Sequence, residues 1–511
     1  MKLDDLKQAR LPIFPFFLTL SALFALNAFL YYQVDMDDFF ITMRYAVNIA
    51  RGRGFVFNPG ERVLGTTTPL FTLLIAFAVW IGIPALVAVR IYCSIFLFGA
   101  SVFCWYYFRE KGNELIGFSA GLLLFLLLPI KQLFGNEMPL CFFFILGSLY
   151  FYEQKNWRTS FVFQSLYALT RMEGLLFLFL LMALLFWRKR KIVYQALMPP
   201  LIILLPWFLF SGLYFGDLLP NTLYAKARQG ARLDIWVSFA RGLWNALQLI
   251  FFNAEWPFLS FCALIGLIPL LRTKHRLLLG WCVLHQLIYW FLNVPGSYKW
   301  YFYPLWLLYP LLLGGGIACL ATGIRDFTSL KGRERLIYFA LVGFLLSLAW
   351  RQPRLNTFSH ARHRLYKNAA NYIKDHWEPE NKIIADEIGI FGYHLQEYTI
   401  LDTAGLIHQN FPWEAYFYYS YLVKHYKPEL IVNCRYPSDI EKEENSYEPI
   451  IVPIDEGIYL SYEVRRIFEG EEMMVRILEK EEGLIVTEEA AERLFENPAK
   501  GKVIDKRSEG R

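Results

Sequence analysis

The stretch Val34-Asp35-Met36-Asp37-Asp38-Phe39-Phe40-Ile41-Thr42-Met43-Arg44-Tyr45 places three carboxylates directly after the first long apolar segment. That segment, residues 12–34, carries no charge and is long enough to cross a bilayer as a helix. Charge is costly inside a bilayer, so the acids mark a membrane interface. Beyond them, apolar residues recur at helical spacing as far as Ala50. This predicts a short amphipathic helix on the surface, with Asp37 and Arg44 on one face.

The composition indicates a membrane protein of many spans with a soluble part. Of 511 residues, 56% are hydrophobic and 19% are charged, and the mean hydropathy is +0.32. An ordinary globular domain is less apolar. The net charge of +6 does not predict a nucleic-acid partner. The first apolar segment is too long for a signal-peptide core and predicts a retained anchor. Most of the cysteines lie in apolar segments, so neither a disulfide framework nor a zinc site is predicted.

Basic residues determine the predicted orientation. Lys2, Lys7 and Arg10 precede the first span and predict a cytoplasmic N-terminus. Later Lys/Arg clusters fall on the same side only if the apolar run 69–82 does not cross. Thr68 caps that run, which we predict to be an interfacial or half-buried helix whose free N–H groups could face a phosphate or sugar. The predicted crossings, about eleven, are residues 12–34, 85–108, 115–131, 138–152, 159–171, 174–187, 194–215, 256–271, 277–294, 300–322 and 336–350.

An odd number of crossings places the end of the chain outside the cell. Residues 1–350 form the predicted transmembrane domain, in which residues 216–255 are a second external connection with an interfacial helix. Residues 351–485 are predicted to form a small extracytoplasmic α/β domain, and residues 486–511 a charged flexible tail. Within the α/β domain, the periodicity predicts two helices, 365–376 and 413–425, and three strands, 382–386, 399–402 and 429–433.

With this orientation, unusual polar residues at the span ends all fall on the outer side. They are Asp37, Asp38, Arg44, Asn136, Glu137, Arg171, Glu173, Asp217, Asn221, Lys226, Arg228, Lys299 and Tyr301. Ionisable residues at membrane depth are usually functional or paired. Each also has an ordinary explanation: acids can begin a helix, Arg171 and Glu173 can snorkel from a hairpin, and Lys299 can belong to an aromatic belt. Their joint placement beside the carboxylate pair favours a function.

Sugar transfer from a polyprenyl-phosphate carrier requires this set of residue types. The acceptor hydroxyl loses a proton as it attacks the anomeric carbon, and a carboxylate can take that proton as general base. The departing lipid phosphate needs Arg or Lys to stabilise its charge. Two neighbouring acids partly shielded by lipid would also raise the pKa of one of them, which suits a base.

The motifs resemble those of the polytopic GT-C glycosyltransferases, most closely the branch that includes terminal arabinofuranosyltransferases. The resemblance is carried by residues 37–46 (DDFFITMRYA), 48–63 (NIARGRGFVFNPGERV), 65–70 (GTTTPL), 170–174 (TRMEG), 216–222 (GDLLPNT) and 401–406 (LDTAGL). The chain departs from the family pattern at Met138, Met172 and Lys299, and the shared motifs do not specify the sugar.

This resemblance implies an α-helical polytopic membrane protein of GT-C type with interfacial helices in its first external loop and a small extracytoplasmic α/β domain. It implies inverting transfer on the outer face of the membrane to a cell-envelope glycan, glycolipid or protein, with the acidic pair carrying the base. Asp38 is the preferred base, and Asp37 would orient the acceptor or a metal. Candidate substrate-binding residues are Arg44, Thr68, Glu137, Arg171, Glu173, Asp217, Asn221, Lys226, Arg228, Lys299 and Tyr301.

Three alternatives remain open at this point. The adjacent acids permit a divalent metal, but no third ligand at a telling spacing accompanies them, so no cofactor is assigned. A transporter or lipid-sugar flippase also has many spans with buried charge, although it should show repeats and charge near the bilayer midplane. A binding module on a membrane scaffold would place the function in the tail, from about residue 355 onward.

Overall fold

The computed structural model describes residues 13–29, 36–131, 133–231, 237–272, 276–327, 340, 343, 347, 357–408, 419–435, 450–455, 458–469 and 474–486. The chain divides into two units. The first unit comprises Met1–Val34 and Thr66–Leu355, and the second comprises Asp35–Gly65 and Asn356–Arg511. The stretch that carries the acidic pair therefore belongs to the same unit as the C-terminal region.

The first unit is helical. In chain order its helices are α1 (Ile13–Phe29), α3 (Pro69–Trp80), α4 (Ala85–Glu110), α5 (Glu114–Leu123), α6 (Leu128–Lys131), α7 (Met138–Glu153), α8 (Trp157–Thr170), α9 (Gly174–Lys189), α10 (Tyr194–Phe215), α11 (Asn221–Ala231), α12 (Phe239–Phe251), α13 (Pro257–Arg272), α14 (Arg276–Phe291) and α15 (Tyr303–Phe327), with a 3-10 turn at Lys299–Phe302 before α15. The last predicted crossing, 336–350, lies outside the described residues except for 340, 343 and 347.

Long apolar helices make this a membrane protein. Ala85–Glu110, Tyr194–Phe215 and Lys299–Gly323 are each long and apolar enough to cross a bilayer, and shorter apolar helices accompany them. One predicted crossing differs from the structure. Residues 115–131 do not form a single helix, because the chain turns after Leu123 and begins the short helix α6 five residues later. Pro129 is tolerated there, since the first turn of a helix needs no N–H from it.

Close backbone contacts hold the centre of the first unit. A Cβ atom at Gly266 in α13 would overlap the carbonyl of Leu312 in α15, and one at Gly316 would overlap the carbonyl of Cys262. Small residues at such positions let two helices approach, which is how helices associate in a bilayer. Helix α15 is almost wholly buried, whereas α10 exposes most of its apolar side chains. The outer helices are thus suited to lipid contact.

The second unit combines helices with one mixed sheet. Its elements are α2 (Asp37–Ala50), α16 (Thr357–His376), β1 (Lys382–Ala385), α17 (Ile388–His394), β2 (Thr399–Asp402), α18 (Tyr419–Tyr426), β3 (Leu430–Arg435), β4 (Ile450–Asp455), β5 (Ile458–Glu469) and β6 (Met474–Val486). The sheet order is β2-β1-β3-β6-β5-β4. Strands β2, β1 and β3 are parallel, and the other pairs are antiparallel. The core includes Ile384, Leu401, Leu422, Ile431 and Leu478.

The predicted small α/β domain is confirmed, with additions. The strands predicted at 382–386, 399–402 and 429–433 are β1, β2 and β3. Helix α17 and the three strands β4 to β6 are additions to the predicted elements. Residues 413–418 of the predicted helix 413–425 lie outside the described residues, as does the predicted flexible tail from residue 487 onward.

Candidate functional site

The acidic helix α2 is a core element of the second unit. Eleven of its fourteen residues are buried, among them Asp37, Arg44 and Asn48. Asp37 and Asp38 occupy its first turn, where carboxylates complement the helix dipole. The burial reaches nearly all sides of the helix, well beyond the single face of an amphipathic helix. Buried polar side chains must be hydrogen-bonded, so α2 is fixed by hydrogen bonds as well as by apolar packing.

The Asp37 carboxylate caps helix α17 from outside that helix. Its two oxygens accept the backbone N–H groups of Gly389 and Ile390, each at 2.7 Å. The N-cap residue of α17 itself, Glu387, makes no side-chain capping bond. Burial raises the pKa of the Asp37 carboxyl to about 6, and Arg362 and the two N–H groups oppose that shift. The carboxyl is therefore mainly ionised at neutral pH, the form that accepts both hydrogen bonds.

Two glycines allow α17 to approach α2 this closely. A Cβ atom at Gly389 would overlap the carbonyl group of Asp37. A Cβ atom at Gly392 would lie 2.6 Å from the Phe57 ring and 3.1 Å from the side chain of Arg44. A larger residue at either position would push the two helices apart.

Arg44 is fully buried, and its guanidinium hydrogen bonds all end on protein oxygens. The acceptors, at 2.8 to 3.2 Å, are the carbonyls of Phe57, Gly392, Leu395 and Tyr398 and the side-chain oxygen of Asn58. A guanidinium has five N–H groups, and five acceptors use them all. Arg44 therefore has no N–H group left to donate to a phosphate. This differs from the prediction that Arg44 binds substrate.

The segment that follows α2 is bonded to the chain around β2. The Asn58 side chain exchanges two hydrogen bonds with the backbone of Ile400, at 2.8 and 3.1 Å. Arg51 and Arg53 form ion pairs with Glu397, at 2.9 and 2.6 Å. Residues 36–65 are therefore an integral part of the C-terminal domain.

Asp386, directly after β1, is a buried acid that the sequence analysis did not select. Its carboxylate accepts the Tyr419 hydroxyl at 2.8 Å, the Asn433 amide at 2.8 Å and the Cys434 N–H at 3.1 Å. Burial raises the pKa of the Asp386 carboxyl, and these donors oppose the shift. The side chain of Asn433 in turn accepts from Arg476. A network of this kind fixes the ends of β1 and β3.

The motif at residues 401–406 forms a structured turn. The Asp402 carboxylate accepts the N–H groups of Ala404 and Leu406, at 2.8 and 2.5 Å, and Gly405 has the positive φ that the turn requires. The backbone N–H of Asp402 donates to Nε2 of His408 at 2.9 Å. This motif therefore has a structural explanation within the second unit.

In the first unit, the structure brings together three predicted site residues. Arg171 donates to Glu137 at 2.7 Å and to Glu173 at 2.8 Å, and it contacts the Tyr289 hydroxyl at 3.2 Å. The hairpin between α8 and α9 places Arg171 and Glu173, and Glu137 precedes α7. With both carboxyl groups ionised, two acids and one guanidinium leave this cluster with one net negative charge. We call Glu137, Arg171 and Glu173 the arginine cluster.

Aromatic and imidazole side chains surround the arginine cluster. Tyr289 donates to Glu173, and His285 stacks on Tyr289 with 4.6 Å between ring centroids. Nε2 of His285 lies 3.9 Å from Glu173. Tyr303 and Tyr167 share a hydrogen bond beside it. These residues lie inside the apolar segments and were not among the predicted site residues, which all stand at segment ends. A histidine inside the segment 277–294 was the available signal.

The predicted cations Lys226, Arg228 and Lys299 lie near an aromatic turn in the first unit. Lys226 is largely buried, with its Nζ 3.7 Å from the ring centroid of Tyr298, and the Tyr298 hydroxyl donates to Gln229 at 3.1 Å. Arg228 is buried on the same helix, α11. Lys299 is exposed and begins the 3-10 turn. Tyr301, two residues later in the same turn, is buried.

The remaining predicted residues have varied surroundings. Thr68 stands at the N-cap position of α3 with Pro69 as the first helical residue, but its hydroxyl makes no capping bond and has no hydrogen-bond partner among the described residues. Asp217 is exposed, and Asn221 is half-buried at the start of α11. The ring centroid of Tyr301 lies 5.9 Å from the Arg171 guanidinium carbon.

Asp38 differs from Asp37 in its exposure. It is half-buried in the first turn of α2, whereas Asp37 is buried and holds two backbone N–H groups. Of the two neighbouring acids, Asp38 is therefore the one with a side chain that water or a substrate can reach. In the part of the chain that the structure describes, no three His, Cys, Asp or Glu side chains are grouped as metal ligands.

No family model matches the chain, and no curated protein matches it by sequence. Solved structures share its fold, among them two of ArnT. ArnT from Cupriavidus metallidurans bound to undecaprenyl phosphate aligns with a TM-score of 0.51 and 10% identity, over 91% of this chain and 97% of that one. The apo form of ArnT aligns with a TM-score of 0.51 and 12% identity over the same shares. At this identity the likeness shows a shared fold, and it confirms the predicted fold class of a polytopic helical protein with a small α/β domain.

Proposed function

We propose that the chain is a membrane glycosyltransferase that moves a sugar from a polyprenyl-phosphate donor to a hydroxyl of a cell-envelope glycan, glycolipid or protein. The observation that carries this proposal is the fold, which is similar to that of ArnT, a protein described in complex with undecaprenyl phosphate. The long apolar helices support a donor that lies in the bilayer. The GT-C motifs of the sequence, at residues 37–46 and 170–174, support the same reaction and the arabinofuranosyltransferase-like branch.

In the proposed reaction, the Asp38 carboxylate acts as general base. It takes the proton of the acceptor hydroxyl while the acceptor oxygen attacks the anomeric carbon. The bond between that carbon and the phosphate oxygen breaks, and its electron pair leaves with the polyprenyl phosphate. A direct attack opposite the leaving group inverts the anomeric carbon. Asp38 suits this role better than Asp37, because a base must reach its substrate and Asp37 is occupied by Gly389 and Ile390.

The leaving phosphate needs positive charge, and we assign this role to Lys226, Arg228 and Lys299 in the first unit. Arg44 is reassigned to a structural role, because its donors are all used. Arg171 is a weaker candidate for the phosphate, since its charge is outnumbered by Glu137 and Glu173. A net negative cluster would repel a phosphate.

The arginine cluster is better suited to binding sugar hydroxyl groups. Carboxylates accept hydrogen bonds from hydroxyls, and the rings of Tyr289 and Tyr301 pack against each other beside them. Thr68, Asp217 and Asn221 remain proposed substrate contacts. The proposed orientation has a cytoplasmic N-terminus and an extracytoplasmic C-terminal domain, so that transfer takes place on the outer face of the membrane.

The direct test is transfer of radiolabelled sugar from a panel of pentosyl and hexosyl polyprenyl-phosphate donors to endogenous acceptors. Membranes with the wild-type protein are compared with membranes that hold equal amounts of Asp38→Asn. Transfer by the wild type that Asp38→Asn abolishes would support the reaction and identify the sugar. Donor movement across the bilayer without transfer to an acceptor would instead support a flippase.

A further inference from the structure

The sheet of the second unit reverses its strand order at β1, and open α/β domains bind ligands at such a reversal. Strand β1 lies between β2 and β3 and is parallel to both. The chain leaves β1 toward β2 on one side and later reaches β3 on the other. Ligands of such sheets bind beyond the carboxyl ends of the strands at this reversal, often with an anion at the N-terminus of the next helix. In this domain the next helix is α17.

Side chains of the protein itself occupy the position beyond the end of β1, at the N-terminus of α17. The anionic group at the N-terminus of α17 is the Asp37 carboxylate, which comes from a position 352 residues earlier in the sequence. The end of β1 is closed by Asp386 with Tyr419 and Asn433. Glu387, between Asp386 and α17, forms an ion pair with Arg362 of α16. Each of these polar groups is satisfied by another part of the same unit.

We propose that the C-terminal domain is a positioning device for the acidic helix, in which Asp37 caps α17 and Arg44 locks α2 in place. The role of Asp38 as the base that is positioned rests on the proposed function, whereas the capping by Asp37 does not. Asp37 is in this account a positioning residue, and the domain is not a separate binding module.

The physical basis is the adjacency of Asp37 and Asp38 in one helical turn. Asp37 is anchored by two hydrogen bonds to α17, and Arg44, two turns later, is anchored to α17 through Gly392. With both ends of this segment held, the direction of the Asp38 side chain is set by the domain. A displacement of about 1 Å at a reacting group can lower a rate by about a hundredfold.

The test replaces the cap from Asp37 by a side chain at the N-cap position of α17 itself. Asp37→Ala removes both acceptors, and Glu387→Asp places a good N-cap residue at the start of α17 while it keeps the charge opposite Arg362. Four full-length proteins are compared in liposomes with polyprenyl-phosphate sugar: the wild type, each single variant and the double variant. The unfolding temperature, kcat and KM are measured for each.

Asp37→Ala is expected to lower the unfolding temperature by roughly 5 °C. Its kcat should fall by about ten- to a hundredfold, while KM stays close to the wild-type value. The double variant should recover at least half of the lost unfolding temperature and most of the lost kcat. Glu387→Asp alone should behave as the wild type does.

Two results would overturn the proposal. Asp37→Ala with an unchanged unfolding temperature would show that the cap does not matter. A double variant with restored stability but no transfer would show that Asp37 contacts the reacting atoms and is more than a positioning residue. If the wild type transfers sugar from no donor, the proposed function fails, and the unfolding temperatures of the four proteins still decide whether Asp37 is a cap.

Discussion

Two of the buried arginines of this protein, Arg44 and Arg171, are held in opposite ways. Arg44 in the second unit is surrounded by neutral acceptors, four of them backbone carbonyls. Arg171 in the first unit is bonded to two carboxylates. A guanidinium saturated by backbone groups fixes the chain, since every bond ends on a specific peptide unit. A guanidinium shared between carboxylates leaves acceptor lone pairs that a ligand can use. The comparison separates a structural arginine from one within a candidate binding site.

The largest expected effect is that of Arg171→Met. The substitution leaves Glu137 and Glu173 buried without their counter-charge, and removal of one partner from a buried pair typically costs about 3–5 kcal/mol. We expect a loss of stability of about 4–5 kcal/mol, measured by thermal unfolding in detergent. Arg171→Lys should recover part of it. A protein of wild-type stability after Arg171→Met would show that the two carboxyl groups are neutral and that the charge comparison is wrong.

Arg44→Met should destabilise the second unit by about 3–4 kcal/mol, because several buried carbonyls lose their donor at once. Limited proteolysis of the C-terminal domain, with unfolding followed in denaturant, measures the effect. The matched control is Arg51→Ala, which removes an exposed ion pair with Glu397 and should cost less than about 1 kcal/mol. Equal effects of the two substitutions would contradict the role of Arg44 as a lock.

Stability of the second unit should fall as the pH is lowered, in part through His408. Burial lowers the pKa of His408 from 6.5 to about 4. The Nε2 of His408 accepts the Asp402 N–H, which only the neutral ring can do. The unfolded chain therefore binds the proton first, and the stability present above pH 6.5 is lost as the pH falls toward 4. His394, whose pKa burial and His363 also lower to about 4, acts in the same direction. Asp37 and Asp386 act in the opposite direction, because burial raises the pKa of each carboxyl.

The contribution of His408 can be isolated with His408→Gln, which keeps an acceptor but does not titrate. The wild type should lose about 2 kcal/mol more than this variant between pH 7 and pH 5. Chemical denaturation at the two pH values gives the difference. Parallel pH curves for the two proteins would mean that His408 is charged in the folded state or exposed.

The smallest expected effect is that of Glu137→Gln. It changes the net charge of the arginine cluster from minus one to zero and keeps an oxygen that can accept from Arg171. We expect a change in stability within about 1 kcal/mol, in contrast to Arg171→Met. If the cluster binds sugar hydroxyls, KM for the donor or acceptor should rise while the unfolding temperature is kept. A stability loss as large as that of Arg171→Met would mean that Glu137 supports the fold.

The sequence predicted helices and strands well where periodicity or proximity carries the information. The apolar segments locate most helices of the first unit, and Arg171 and Glu173 were grouped because only one residue separates them. It could not predict the partner of Asp37, since Gly389 lies 352 residues away and nothing local marks the pair. Strands β5 and β6 contain the charged pair Arg465-Arg466 and the charged run Glu479-Lys480-Glu481-Glu482, which interrupt the apolar alternation typical of a strand. The closeness of Gly389 and Gly392 to α2 has no signal in a single sequence.

The measurement that tests the account most directly is the rate of sugar transfer by Asp37→Asn and Asp38→Asn, compared with the wild type in the same proteoliposomes. Asp38→Asn should lower the rate by about a thousandfold or more, because it removes the general base. Asp37→Asn keeps one of two capping acceptors and should retain more than about a hundredth of the wild-type rate. Full transfer by Asp38→Asn, or a greater loss in Asp37→Asn than in Asp38→Asn, would contradict the separate roles of the two acids.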